Sequence, residues 1–450
     1  MGGSTLVSNQ PINLDGPHES FPAYFRRSRL LHIGLFFNLI YYIAIVFVYL
    51  ILYSTGSIST TVYSMDIQVF YEAGRVLLVS PGDLYSVSPN GLPFRYFPLF
   101  SYVYAILQPI PLEVLYLINC SIMMLLNWGV LWLSYRLCLA YGLISNTKNF
   151  EKTLLFIFIA PQHIVNLILG QFSQFLIFLI LYAILLLQKA DLHSVRQYFF
   201  VGIALGMASN LKPFAVILFV FAVPVFRISR YKFGIPWRPL LGVFLGFMLM
   251  MIPNAIFFWI YPESLSGFIR VNFFENLDNH HSTSITRLLT SLFPLLQNPI
   301  PKYTIMLAMS LFIFFISYSR FVNTPQESKK YILHFAEMLF LVLLIYPDSW
   351  FLFLAIWYTV LGPSMLLFYN SYDSSQTEHK VTDILWAGSN NLLAFFWIGV
   401  LLHYLVLGFD PIGPIWLLLV YVLFIYLVKR PNKLLKHNKD QLGKKDLITR

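Results

Sequence analysis

Twelve apolar runs, most of them long enough to cross a bilayer, limit what this chain can fold into. A hydrocarbon core about 30 Å thick needs roughly 20 consecutive apolar residues in a helix. The runs lie near 31–53, 94–108, 113–135, 153–169, 172–188, 199–226, 239–260, 303–322, 331–346, 349–369, 383–408 and 414–428. Only 11% of the 450 residues are charged and 58% are hydrophobic. A soluble domain carries roughly 25% charged residues, so a water-facing surface cannot be built from this composition. The chain is therefore read as an all-α polytopic membrane protein, and soluble-enzyme classes drop out. Its net charge of +10 could suggest nucleic acid, but the distribution of charge points to topology instead. No nucleic-acid partner is expected. Cys120 and Cys138 both lie in one apolar run and form no disulfide framework or zinc motif.

Direction follows from the basic loops. Residues 1–30 are read as a cytosolic tail, with Arg26, Arg27 and Arg29 just before the first run. The basic segment 429–450 is also read as cytosolic, a solvated tail near anionic headgroups. An even number of spans must lie between the two. Lys212-Pro213 breaks 199–226 into two segments, which makes thirteen in all. The segment that does not cross is taken to be 94–108, which is short and carries Pro98. About twelve transmembrane helices remain. The basic stretches 136–152, 189–196, 227–238, 320–330 and Lys380 then all fall inside. Of the 30 Lys and Arg residues only six fall outside, against nine of the 20 Asp and Glu, as positive-inside orientation requires. The sequence divides into the two tails and one membrane domain, 31–428. Long outer loops cover 54–112 and 261–302. In the first loop, Ile67, Phe70, Tyr71, Gly74, Leu77 and Leu78 recur at helical spacing, which predicts an interfacial amphipathic helix over 66–79.

Polar chemistry concentrates at the outer face. Asp66 opens the amphipathic helix and is either a helix cap or a functional carboxylate. Glu72 and Arg75, three apart, read as a surface ion pair. Lys212 interrupts an apolar run; it is either functional, as intramembrane ionisable groups tend to be, or a lysine snorkelling from a Pro-broken helix end. His280-His281 do not share a helix face and have no third ligand nearby. They are read as loop residues that hydrogen-bond substrate or nothing. The Asn119-Cys120-Ser121 sequon lies inside a span and is read as unused.

Several motifs follow one another in order. They are Asp66-x-x-Val69-Phe70-x-x-Ala73-x-Arg75, Gly82-x-Leu84-Tyr85 and Phe94-Arg95-Tyr96-x-Pro98-Leu99 in the first loop. Gly170-Gln171-Phe172-Ser173-Gln174, Leu211-Lys212-Pro213 and Tyr346-Pro347-Asp348-Ser349-Trp350 come later. This set resembles glycosyltransferase family 87, the polyprenyl-phosphate-mannose-dependent mannosyltransferases. It is also similar to the first mannosyltransferase of the GPI-anchor pathway. Both belong to the C-type (GT-C) glycosyltransferases, and the resemblance covers roughly residues 31–360. Two departures stand out. Ser64 replaces the first Asp of the Asp-x-Asp pair kept by the GPI group, and residues 351–353 hold no histidine where family 87 often has one.

The resemblance implies an integral-membrane transferase acting on the extracytoplasmic or lumenal face. Its donor would be a polyprenyl-phosphate hexose, with mannose as the expected sugar. Its acceptor would be lipid-linked or glycan, with membrane lipids as surroundings. It implies Asp66 as general base in an inverting reaction. Lys212, Arg95 and Arg287, drawn from the scarce outer cations, would hold the donor phosphate. Tyr85, Tyr96, Gln171, Gln174, His280, His281, Asp348 and Trp350 would contact substrate. The chemistry needs only one carboxylate, because a lipid phosphate leaves readily once cations stabilise it. No cofactor is implied, and a divalent metal is left open. The competing reading is a twelve-helix secondary transporter, which the span count and the broken helix at Lys212 would suit. Against it, the ionisable groups gather at the outer face instead of at a midplane site.

Overall fold

In lipid every backbone polar group must find an internal partner, so a chain this apolar builds from helices. The computed structural model describes residues 20–58, 63–141, 151–152, 154–155, 161–229, 232–274, 282, 284–322, 331–346, 349 and 412–429. The helices are α1 (Phe21–Arg27), α2 (Arg29–Ser54), α3 (Met65–Val79), α4 (Pro98–Ile106), α5 (Leu112–Ala140), α6 (Pro161–Leu169) and α7 (Ser173–Gln188). They continue with α8 (Val195–Leu211), α9 (Trp237–Ile260), α10 (Pro262–Ile269), α11 (Ile285–Leu292), α12 (Pro299–Phe321), α13 (Tyr331–Ile345) and α14 (Ile412–Lys429). A small antiparallel hairpin, β1 (Phe226–Ser229) with β2 (Lys232–Gly234), precedes α9.

Four helices among the described residues are long and apolar enough to span: α2, α5, α9 and the Pro299–Ser319 part of α12. Shorter apolar stretches are α7, α13 and Gly413–Tyr426 of α14. Of the expected segments 349–369 and 383–408, all but Ser349 lie outside the described residues. In the run 94–108 only the nine residues of α4 are helical. At 1.5 Å per residue that is about 14 Å, less than half the hydrocarbon thickness.

Several boundaries differ from expectation. The stretch read as an N-terminal tail contains α1, whose Tyr24 is buried against Tyr135 of α5, with ring centroids 5.1 Å apart. An aromatic-rich turn of helix thus packs on the bundle before the first span begins at Arg29. The run 199–226 breaks at Lys212-Pro213 as expected, but Pro213–Phe221 is a 3-10 helix. Helix α3 starts at Met65 and buries Ile67, Phe70, Ala73, Gly74 and Leu77, while Leu78 is 63% exposed. Its buried face is narrower than the sequence stripe because α4 covers it at Gly74. A Cβ there would come within 2.6 Å of the Tyr104 backbone.

The tightest packing joins α8 and α9. Gly202 and Gly206 on one helix face Gly242 and Gly246 on the other. A Cβ on Gly202 or Gly246 would collide with the Val243 or Phe199 carbonyl oxygen. Two small-xxx-small stripes therefore let two backbones touch, which is how helices gain contact where no hydrophobic effect drives them together. The facing pairs advance together along both helices, so α8 and α9 run parallel. The 3-10 helix that follows α8 must therefore carry the chain back before α9 starts. Helix α13 is buried along its whole length, as a helix apolar all round should be. Its Glu337 accepts hydrogen bonds from Ser317 of α12 (3.1 Å) and Tyr421 of α14 (3.2 Å).

Candidate active site

The site begins where α3 begins. Ser64 is the N-cap and holds a left-handed conformation, φ 58° and ψ 13°. It is the one non-glycine residue with positive φ among the described residues. Such a backbone costs on the order of 1–3 kcal/mol unless its surroundings impose it. Here the Ser64 N–H donates to the Ile168 carbonyl at 2.9 Å, and its Oγ accepts from Gln68 Nε2 at 3.1 Å. Asp66 is the second residue of the helix. It is therefore not the cap, and its half-buried carboxylate is left to face other elements.

The turn between α6 and α7 supplies the first of these. Gly170 has φ +78°, and a Cβ there would lie 3.0 Å from Cβ of Ile67, so only glycine lets the turn approach α3. The next residue, Gln171, is buried. Its backbone N–H donates to the Asn166 carbonyl at 2.8 Å. Its amide hydrogen-bonds the Asp66 carboxylate, and its Oε1 accepts from the Tyr96 hydroxyl at 3.4 Å. Gln174, three residues on, turns the other way and bonds His163 Nδ1 at 3.2 Å inside the bundle.

Tyr96 is the hub. Lys212 Nζ donates to its hydroxyl at 2.6 Å and lies 4.5 Å from its ring centroid. Phe70 meets the ring edge-on at 4.8 Å, and Phe100 stacks at 5.1 Å. Tyr85 lies behind Tyr96, 2% exposed, its hydroxyl occupied by the Tyr96 carbonyl at 2.8 Å. Lys212 comes from the break between α8 and the 3-10 helix, and that break turns it inward. It points at the site, which removes the snorkelling reading.

Opposite charges act on one another across this cluster. Burial raises the Asp66 carboxyl to about 6, while the Lys212 charge and the Gln171 hydrogen bond pull it down. Burial pushes the Lys212 amine down to about 7; Asp66 opposes that shift and the Arg95 guanidinium adds to it. A carboxylate more basic than usual stands beside the Lys212 amine, with the Arg95 guanidinium acting on that amine in turn. The arrangement suits proton removal from a hydroxyl next to a bound anion.

Other expected site residues fall elsewhere. Arg287 sits on α11, whose N-cap Ser284 donates to the Ile345 carbonyl at 3.1 Å at the end of α13. The adjoining Tyr346 lies close enough to the Tyr96 hydroxyl to act on it electrostatically. Arg287 is thus joined to the Tyr96 side of the site through Ser284, Ile345 and Tyr346. Ser349 is buried, its N–H on the Tyr346 carbonyl at 3.1 Å. His280, His281, Asp348 and Trp350 lie outside the described residues. Glu72 and Arg75 form the expected surface pair at 2.7 Å on the far side of α3. Among the described residues no three His, Cys, Asp or Glu side chains stand where they could share a metal ion.

Asn210 and Asn254 escaped the sequence reading, although polar residues on glycine-marked helix faces were there to be seen. An apolar groove of about 580 Å³ also escaped it. It is lined mainly by α4, α5, α7 and α8, and it includes Phe172 and Leu211, the chain neighbours of Gln171 and Lys212. Its lining includes Val103, Ile106 and Ile122, all exposed on the protein surface.

No curated protein sequence matches the chain. The sequence model of glycosyltransferase family 87 does, over residues 94–347, more than half of its length. The matched stretch contains Tyr96, Gln171 and Lys212; Asp66 precedes it.

Proposed function

The chain belongs to glycosyltransferase family 87, and on that premise we propose that it moves a hexose, expected to be mannose, from a polyprenyl phosphate to a lipid-linked or glycan acceptor on the extracytoplasmic face. Asp66 takes the proton from the acceptor hydroxyl as its oxygen attacks the anomeric carbon. The bond between that carbon and the phosphate oxygen breaks, and polyprenyl phosphate leaves with the electron pair. Lys212 and Arg95 meet the charge on the departing phosphate. A single displacement inverts the anomeric configuration. A bound phosphate next to Lys212 favours the ammonium form, so donor binding restores the charge that burial weakens.

The observation that carries this reading is the placement of Asp66 and Lys212 across Tyr96 and Gln171, brought together from four separate elements. The groove supports the lipid part of the donor. It is apolar, and its lining includes the chain neighbours of both Gln171 and Lys212. The test is a transfer assay on the purified protein with polyprenyl-phosphate mannose and a lipid acceptor, read by mass. An acceptor heavier by one hexose residue supports the reading. No product with any polyprenyl-phosphate hexose removes it.

A further inference from the structure

The glycine stripe that joins α8 and α9 does not end in glycine. Continuing in steps of four, Gly202 and Gly206 lead to Asn210, and Gly242 and Gly246 lead through Met250 to Asn254. Both asparagines are buried, at 5% and 2% exposure. Asn254 Nδ2 donates to Asn210 Oδ1 at 2.7 Å. Asn210 Nδ2 in turn donates to the Gly206 carbonyl at 2.9 Å and the Met250 carbonyl at 3.2 Å. Two interlocked amides would by themselves be ordinary helix–helix glue.

Asn254 does something more. Its Oδ1 accepts the Leu99 N–H, 155 residues away in sequence, at 2.7 Å. Leu99 lies in the first turn of α4, where backbone N–H groups lack a partner within the helix. The N-cap of α4 is Phe97, which has no side-chain acceptor to offer. The cap is therefore supplied from another helix. The amide orientation is forced: only Oδ1 can face the Leu99 N–H while Nδ2 faces Asn210 Oδ1.

These bonds close a ring. Lys212 stands two residues after Asn210, and Tyr96 three before Leu99. Lys212 Nζ to Tyr96 hydroxyl completes the circuit through Leu99, Asn254 and Asn210. We propose that Asn254 is a positioning residue for the transfer reaction. By tying the start of α4 to the end of α8, it holds the Tyr96 hydroxyl and the Lys212 ammonium at a fixed spacing for the donor phosphate. The inference rests on the transferase reading given above. Helix glue alone would need the Asn210 contact and not the one to Leu99.

The test uses the full chain in lipid nanodiscs with a polyprenyl-phosphate hexose donor. Asn254→Leu and Asn210→Leu are compared with the wild type for donor KM, kcat, melting temperature and pH profile. With Asn254 gone, Lys212 drifts from Tyr96 and from Asp66. Donor KM should rise about tenfold, the size of one lost buried hydrogen bond. The groups acting on Asp66 are Lys212 and Gln171, with Arg95 acting on Lys212. Weakening the Lys212 influence raises the Asp66 carboxyl further, so the acid limb of kcat/KM should move to higher pH. The double variant should cost little more than the worse single one, because both act through one circuit. If Asn254→Leu does not fold, Asn254→Ser takes its place; its short hydroxyl cannot bridge Leu99 and Asn210 together. A lower melting temperature with wild-type donor KM and an unmoved acid limb would reduce Asn254 to helix glue and end the proposal. Should the wild type itself transfer nothing, the transferase reading fails instead. The ring is then judged without substrate by hydrogen exchange at the Leu99 amide. Faster exchange in the Asn254 variant supports the cap, and unchanged exchange overturns it.

Discussion

Replacing Asp66 by Asn separates chemistry from architecture at the point where they meet. Ser64, not Asp66, occupies the N-cap of α3, so the substitution leaves the cap untouched. It removes one negative charge from the first helical turn, an interaction worth about 0.3–1 kcal/mol at most surface sites. Burial works the other way. The folded-state carboxyl lies at about 6 against an ordinary 3.8, so between those values the folded protein holds a proton that the unfolded chain has released. The Asp66 contribution to stability therefore falls as pH rises from about 4 to about 6, and Asn escapes this penalty. Asp66→Asn should be as stable as the wild type at pH 7 and should still bind donor through Lys212. Transfer is another matter. Loss of a positioned base costs typically 10²–10⁴-fold, and kcat should drop by that factor with donor KM little changed. In the wild type, kcat/KM should halve near pH 6 and fall about tenfold per further pH unit on the acid side. The assay is initial-rate hexose transfer to a lipid acceptor in nanodiscs, with melting temperature as the folding control. Near-normal transfer by folded Asp66→Asn would refute the base assignment, and an acid limb near 4 would refute the burial argument.

Lys212→Ala should weaken donor use by about ten- to a hundredfold, the range for one buried charge-assisted hydrogen bond; an unchanged donor KM in both it and Arg95→Ala would detach the phosphate from this cluster. Gly246→Ala forces a Cβ onto the Phe199 carbonyl, where backbone cannot yield. Overpacking of this kind costs typically 1–3 kcal/mol; a melting temperature equal to the wild type would show that α8 and α9 are farther apart than described. Topology is tested by cysteine labelling with an impermeant reagent added outside. Cysteine at Thr147 should stay shielded and cysteine at Asn90 should react; labelling of Thr147→Cys from outside would overturn the span parity.

The amphipathic helix over α3, the break at Lys212-Pro213 and the shortness of the helix within 94–108 were all legible in the chain. Each depends on local quantities: apolar period, a proline, and a run too short for the bilayer. Asp66 and Lys212 stood out singly, as a carboxylate opening an amphipathic helix and a lysine interrupting an apolar run, but only the resemblance grouped them with Tyr96 and Gln171, since no spacing along the chain links positions 66, 96, 171 and 212. Their meeting required the Gly170 turn to approach Ile67 and α4 to lie on Gly74, and those contacts exist only between elements distant in sequence. For the same reason the pairing of Asn210 with Asn254 exists only once α8 and α9 lie side by side. The glycine stripes were visible in the sequence, but which helix each one faced was not. Hydrophobic periodicity says which side of a helix seeks cover. In lipid, where that pull is absent between helices, shape and buried hydrogen bonds select the partner, and both are properties of two surfaces together.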